Sequence, residues 1–129
     1  MRIEHVAIWT KDLEVMKSFY QQYFKGVAGE KYVNSSKKFT SYFLTFEEGA
    51  RLELMHKPEI AQLPGDSFTE FMGFTHLAVS VGSKRKVNEL TEQLRHDGFQ
   101  VLDGPRITGD GYYESVVLDP ESNRLEITV

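Results

Sequence analysis

The chain has 129 residues, 40% hydrophobic, 12% aromatic and 26% charged, enough apolar material for the core of one domain or two very small halves, which excludes disordered and collagen-like classes. With 15 Lys+Arg against 19 Asp+Glu the net charge is −4, so no basic excess exists to neutralise a run of phosphates and no nucleic-acid partner is expected. Cysteine is absent, which excludes disulfide scaffolds, thiolate metal sites and cysteine nucleophiles; any metal must be held by His and carboxylate.

No apolar run nears the roughly 18 residues a membrane helix needs. The start, MRIEHVAIWT, lacks the basic-then-apolar layout of a signal peptide, so a cytoplasmic protein without a membrane partner is expected. In that first stretch Ile3, His5, Ala7 and Trp9 alternate with Glu4, Val6, Ile8 and Thr10, a strand with two distinct faces. The period changes at Asp12. Leu13, Met16, Phe19, Tyr20, Tyr23 and Phe24 recur at three and four, so Asp12 reads as the N-cap of an amphipathic helix that closes near Gly26. Strands are predicted over 29–33, 39–46 and 51–55, separated by polar turns and paired antiparallel. From Pro58 to Gly73 the pattern loses its period and gains Pro64 and Gly65, which reads as a connector.

The remainder repeats the first part. A shift of 71 residues places His76 on His5, Ala78 on Ala7, the N-cap Ser83 on Asp12, and Val87, Leu90 and Leu94 on Met16, Phe19 and Tyr23. Strands over 99–102, 112–118 and 124–129 follow, with a Gly-rich loop at 109–111 and a turn at 119–123. The expected fold is α+β: two tandem βαβββ modules, 1–57 and 74–129, joined by 58–73 into one domain. A curved, cup-like mixed sheet is expected, with the helices on its outer face.

Four metal-capable residues fall opposite the bulky aliphatic face of their strands: His5, Glu53, His76 and Glu126. Leu77, Val79 and Val81 form one face, so His76, Ala78 and Ser80 take the other; Leu52 and Leu54 likewise oppose Arg51, Glu53 and Met55, and Leu125 and Ile127 oppose Glu126. The His-to-Glu interval is 48 residues in the first module and 50 in the second. A lone strand His is commonly structural and a lone strand Glu commonly solvated. Four at equivalent places in two repeats form an N₂O₂ set suited to one divalent Zn, Ni, Co, Mn or Fe ion.

The segments IEHVAIWTKDLEVMKSFYQQYFKG, RLELM, FTHLAVSV and VVLDPESNRLEITV resemble the vicinal oxygen chelate superfamily, which includes glyoxalase I, thiol transferases, epimerases, extradiol dioxygenases and bleomycin-binding proteins. The resemblance covers nearly the whole chain and implies paired βαβββ modules around one divalent metal, a small-molecule substrate and a homodimer. In glyoxalase I the two-His, two-Glu set matches His5, Glu53, His76 and Glu126, and Glu53 as a ligand favours a glyoxalase I-like lyase or isomerase over the transferases and dioxygenases. The activity so implied is isomerisation of a thiol hemithioacetal or similar substrate through an enediolate, with Glu126 first and Glu53 second as catalytic base.

The resemblance breaks at two positions. Members that grip glutathione have Arg four residues after the first ligand and Asn four after the second, where this chain has Trp9 and Lys57. Trp9 offers a flat wall for a planar or apolar substrate or, equally, a packing surface; Ser80 and Arg51 complete the expected substrate-binding set. His56 and His96 read as surface groups without a role, and GDGYY at 109–113 as a flexible loop. Parity leaves open whether Tyr42, Phe43, Tyr112 and Tyr113 line the site or pack in the core. The competing function is a metal-free sequestering module like the bleomycin-binding relatives.

Overall fold

The computed structural model describes residues 1–61, 66 and 68–129. Pro64 and Gly65, at the centre of the expected connector, lie outside the described residues. The chain forms two compact units, Met1–Leu63 and Pro64–Val129. None of the helices among the described residues is long and apolar enough to cross a membrane.

The first unit contains β1 (His5–Trp9), α1 (Leu13–Phe24), β2 (Val27–Ala28), β3 (Tyr32–Asn34), β4 (Phe39–Thr45) and β5 (Arg51–His56). β1 runs parallel to β5, β5 antiparallel to β4, and both β2 and β3 pair antiparallel with β4. The strand expected over 29–33 is therefore two short pieces. Four steps from Ala28 to Tyr32 face three steps from Leu44 to Ser41, the count of a bulge that breaks one edge strand in two. α1 starts where the Asp12 carboxylate accepts from the N–H groups of Glu14 and Val15 at 3.1 and 3.0 Å. It lays Leu13, Met16, Phe19, Tyr20 and Phe24 on the sheet, against the buried Leu44, Leu52 and Leu54. Full burial of each such side chain contributes about 1.5–3 kcal/mol.

The second unit contains β6 (Leu77–Ser80), α2 (Lys84–His96), β7 (Val101–Ile107), β8 (Tyr113–Leu118) and β9 (Arg124–Thr128), in the sheet order β6-β9-β8-β7. β6 is parallel to β9 and the other pairs are antiparallel. Both units are thus βαβββ modules, each a mixed sheet with one helix. The Ser83 hydroxyl caps α2 at the Lys86 N–H, 3.3 Å away, and Val87, Thr91 and Leu94 pack toward Val117, Leu125 and Ile127. β7 runs through Pro105 to Ile107, beyond the expected end at 102, because it is an edge strand where a missing N–H breaks no ladder. Gly104, at φ +80°, is required there: a Cβ would stand 2.6 Å from the Glu114 carbonyl oxygen on β8.

Candidate functional site

In the first unit the parallel register sets His5 opposite Arg51 and Ala7 opposite Glu53. His5 and Glu53 therefore project from one face, one pleat apart, and the single methyl of Ala7 leaves the space between them open. His5 Nε2 lies 3.8 Å from Glu53 Oε2. The second unit repeats the arrangement. Ala78 stands opposite Glu126, and His76, immediately before β6, places Nε2 3.3 Å from Glu126 Oε2. Both imidazoles are 39% exposed, while the carboxylates are 14% and 21% exposed. The equivalent half-buried setting follows from equivalent register.

The other nitrogen of each ring is held by the residue before it. His5 Nδ1 bonds the Glu4 carboxylate, and His76 Nδ1 meets the Thr75 hydroxyl at 2.9 Å. Glu4 is in turn bonded by Arg51 Nε at 2.8 Å. The His5 bond, then Arg51, holds the Glu4 carboxyl below the usual carboxylate range. An ionised Glu4 only accepts, so Nδ1 of His5 donates in that bond, and a ring carrying its hydrogen at Nδ1 alone turns the Nε2 lone pair toward the Glu53 carboxylate. Two acceptors confronting each other are the arrangement that a cation between them satisfies, and a carboxylate behind a ligating imidazole fixes its orientation. The donor chemistry of each pair fits a divalent ion of the N/O-binding class.

Among the described residues, no group of three or more His, Asp or Glu side chains forms a ready metal cage. The four expected donors stand as two pairs, one in each unit.

Arg51 is engaged with Glu4 and lies 4.2 Å from the centroid of the Phe43 ring. Trp9 and Ser80 are on the same sheet faces as the His/Glu pairs, both exposed. Lys57 lies over the Trp9 ring, its Nζ 5.0 Å from the centroid. Phe43 meets His5 edge to face at 5.3 Å and so belongs to the site face. Tyr42, on the other face, joins Glu14 and Lys17 of α1, and Tyr113 donates to Asn88 of α2 at 2.8 Å. His56 corrects the surface assignment. Its Nδ1 is 2.9 Å from the Thr10 carbonyl oxygen in a half-buried position, tying the end of β5 to the end of β1.

Glu114 was not anticipated. It is buried on β8, and burial, then the Glu126 charge, raises its carboxyl, while Arg106 at 3.6 Å draws it down. Ser115 and Val117 face α2, so parity alone would have placed Glu114 and Val116 on the Glu126 side.

The family model for the Glyoxalase/Bleomycin resistance protein/Dioxygenase superfamily matches residues 2–127. The chain is 26% identical over 132 residues to the uncharacterized protein YqjT of Bacillus subtilis (strain 168), spanning 97% of this chain and 96% of that one. It is similar in fold to the trypanothione-dependent glyoxalase I of Leishmania major, with a TM-score of 0.78 at 21% identity over 99% of this chain and 86% of the other. A glyoxalase family protein from Enterococcus faecalis gives 0.80 at 22% identity, over 99% and 97%.

Proposed function

Because this chain belongs to the Glyoxalase/Bleomycin resistance protein/Dioxygenase superfamily, we propose that it is a glyoxalase I-like metal-dependent enzyme acting on a small substrate with two adjacent oxygens, such as the hemithioacetal of a 2-oxoaldehyde. His5, Glu53, His76 and Glu126 would hold one divalent ion, donated within one chain or by two copies of a homodimer. The observation that carries this reading is the repeated pair: in each unit an imidazole Nε2 faces a carboxylate, with Nδ1 anchored by the preceding residue. When bound, the ion supplies Lewis acidity to adjacent substrate oxygens, which acidifies the C–H between them.

The chain's own residues do the rest. Glu126 takes the proton from one carbon and returns it to its neighbour, and Glu53 is the second candidate for that role. His5 and His76 remain neutral ligands, their rings oriented by Glu4 and Thr75. A second reading, a metal-free module that sequesters an aromatic molecule, draws on the exposed rings of Trp9 and Tyr32.

Protein stripped of metal and reloaded in turn with Ni, Co, Zn or Mn should convert hemithioacetals of methylglyoxal or phenylglyoxal to thioesters. Glu126→Gln should reduce that rate about 100-fold or more, the span of a lost general base. Absence of turnover with every metal and thiol would reject the enzyme reading.

A further inference from the structure

The face of the first unit that carries His5 and Glu53 continues into a row of aromatic rings. β1 contributes His5, Ala7 and Trp9; β5 and the residue after it contribute Glu53, Met55 and Lys57; β4 contributes Phe43, Ser41 and Phe39. Phe43 meets His5 at one end. At the other, Trp9 and Phe39 reach toward each other across β5, perpendicular at 6.1 Å, and Tyr32 adds a third ring 6.1 Å from Phe39. Ala7 and Ser41, both small, separate the two ends. Trp9 remains 42% exposed, although burying an indole is among the larger gains available to a fold.

The two cations on this wall differ. Arg51, over Phe43, is engaged with Glu4. Lys57, over Trp9, makes no ion pair with a carboxylate among the described residues. Trp9 lies four residues beyond His5, about 13 Å along the strand. Resting on the reading of the His5/Glu53 face as the substrate site, we infer that Trp9, Phe39 and Lys57 form a subsite for a planar aromatic carboxylate. The ligand's ring takes the place of the Lys57 ammonium against the indole and beside Phe39, Lys57 turns off the ring to pair with the anion, and the rest of the molecule extends toward His5 and Glu53. The substrate, or the thiol adduct it enters as, therefore carries an aromatic acid group. An indole cannot form the bidentate carboxylate contact that a guanidinium makes, whereas it stacks on a flat ring.

Trp9 is the chain's single tryptophan, so its emission reports this subsite directly. The full chain, in metal-free and metal-loaded form, is titrated with phenylacetate, with acetate, benzyl alcohol and reduced glutathione as comparisons, and each titration is repeated by calorimetry. Phenylacetate should change Trp9 emission saturably in both forms, binding about tenfold more tightly than acetate or benzyl alcohol. Lys57→Gln should weaken phenylacetate about fivefold and leave benzyl alcohol unchanged, and Trp9→Phe should retain calorimetric binding that Trp9→Ala loses. Phenylacetate binding no tighter than acetate would overturn the inference, as would a preference for glutathione. Emission that responds to protein concentration and not to phenylacetate would also overturn it, showing this face covered by a second copy. Metal uptake measured on the same samples separates the two claims: retained uptake without phenylacetate binding rejects the subsite alone. Phenylacetate binding without metal uptake supports the subsite and rejects the metal-dependent reading.

Discussion

Glu14, in the first turn of α1, gathers Lys17 at 2.5 Å, Lys31 at 2.9 Å and the Tyr42 hydroxyl at 3.1 Å. These partners, Lys17 first, lower its carboxyl from 4.5 to about 2. A carboxyl depressed in the folded state stabilises fully above its ordinary value, and that stabilisation disappears as pH falls from 4.5 toward about 2. Glu14 is half exposed, so solvent screening leaves about 0.5–1 kcal/mol. Glu14→Gln should cost that much in urea unfolding at pH 6, with the gap to the unaltered protein closing near pH 2; a gap independent of pH would contradict the ionic origin. The partners of Glu14 were not readable beforehand because Lys31 arrives from the link between β2 and β3 and Tyr42 from β4. The same limit hid the roles of Glu4 and Thr75. Strand parity placed His5 and His76 on the correct face, but their Nδ1 partners are a matter of rotamer, which alternation does not specify. His56 was missed because its acceptor is a backbone carbonyl 46 residues away.

At the scale of elements, α2 shows where an apolar stripe is an incomplete description. Val87 and Leu94 are buried as their spacing implies, yet Leu90 is only half-buried and Thr91 takes a fully buried place. The Thr91 hydroxyl bonds the Val87 carbonyl and the Ser115 hydroxyl, each at 2.6 Å, so the two polar groups satisfy each other inside the core. Thr91→Val should cost about 1–3 kcal/mol by leaving Ser115 unpaired, and adding Ser115→Ala should recover most of it. Additive losses across the cycle in chemical denaturation would show that the pair is not coupled. Both helix starts were legible because Asp12 and Ser83 are N-caps whose chemistry is local. The edge strands were not. A bulge splits β2 from β3, and register shifts carry β7 through Pro105, and both depend on the neighbouring strand rather than on their own residues.

Across the whole molecule, duplication was the most legible feature. One shift of 71 residues superimposes the first His, the Ala two places on and the helix cap, and the structure returns the same strand order, with β1-β5-β4-β2 matched by β6-β9-β8-β7. Periodicity carries through a repeat because each copy must bury the same helix face on the same side of its sheet. The copies differ where chemistry was added to the sheet face opposite the helix: rings around Trp9 in the first, buried Glu114 with Arg106 in the second. The position matching Glu114 in the first unit is Ser41, as both lie two residues before the partner of the ligand-type Glu. The proposal that one divalent ion draws a donor pair from each unit is tested most directly by metal stoichiometry. Cobalt or nickel titrated into chelator-treated protein should bind at one ion per chain, and His5→Ala and Glu126→Gln, altered in different units, should each abolish that uptake. Uptake of two ions per chain with only one lost in each variant, or no uptake by the folded protein, would contradict a shared centre.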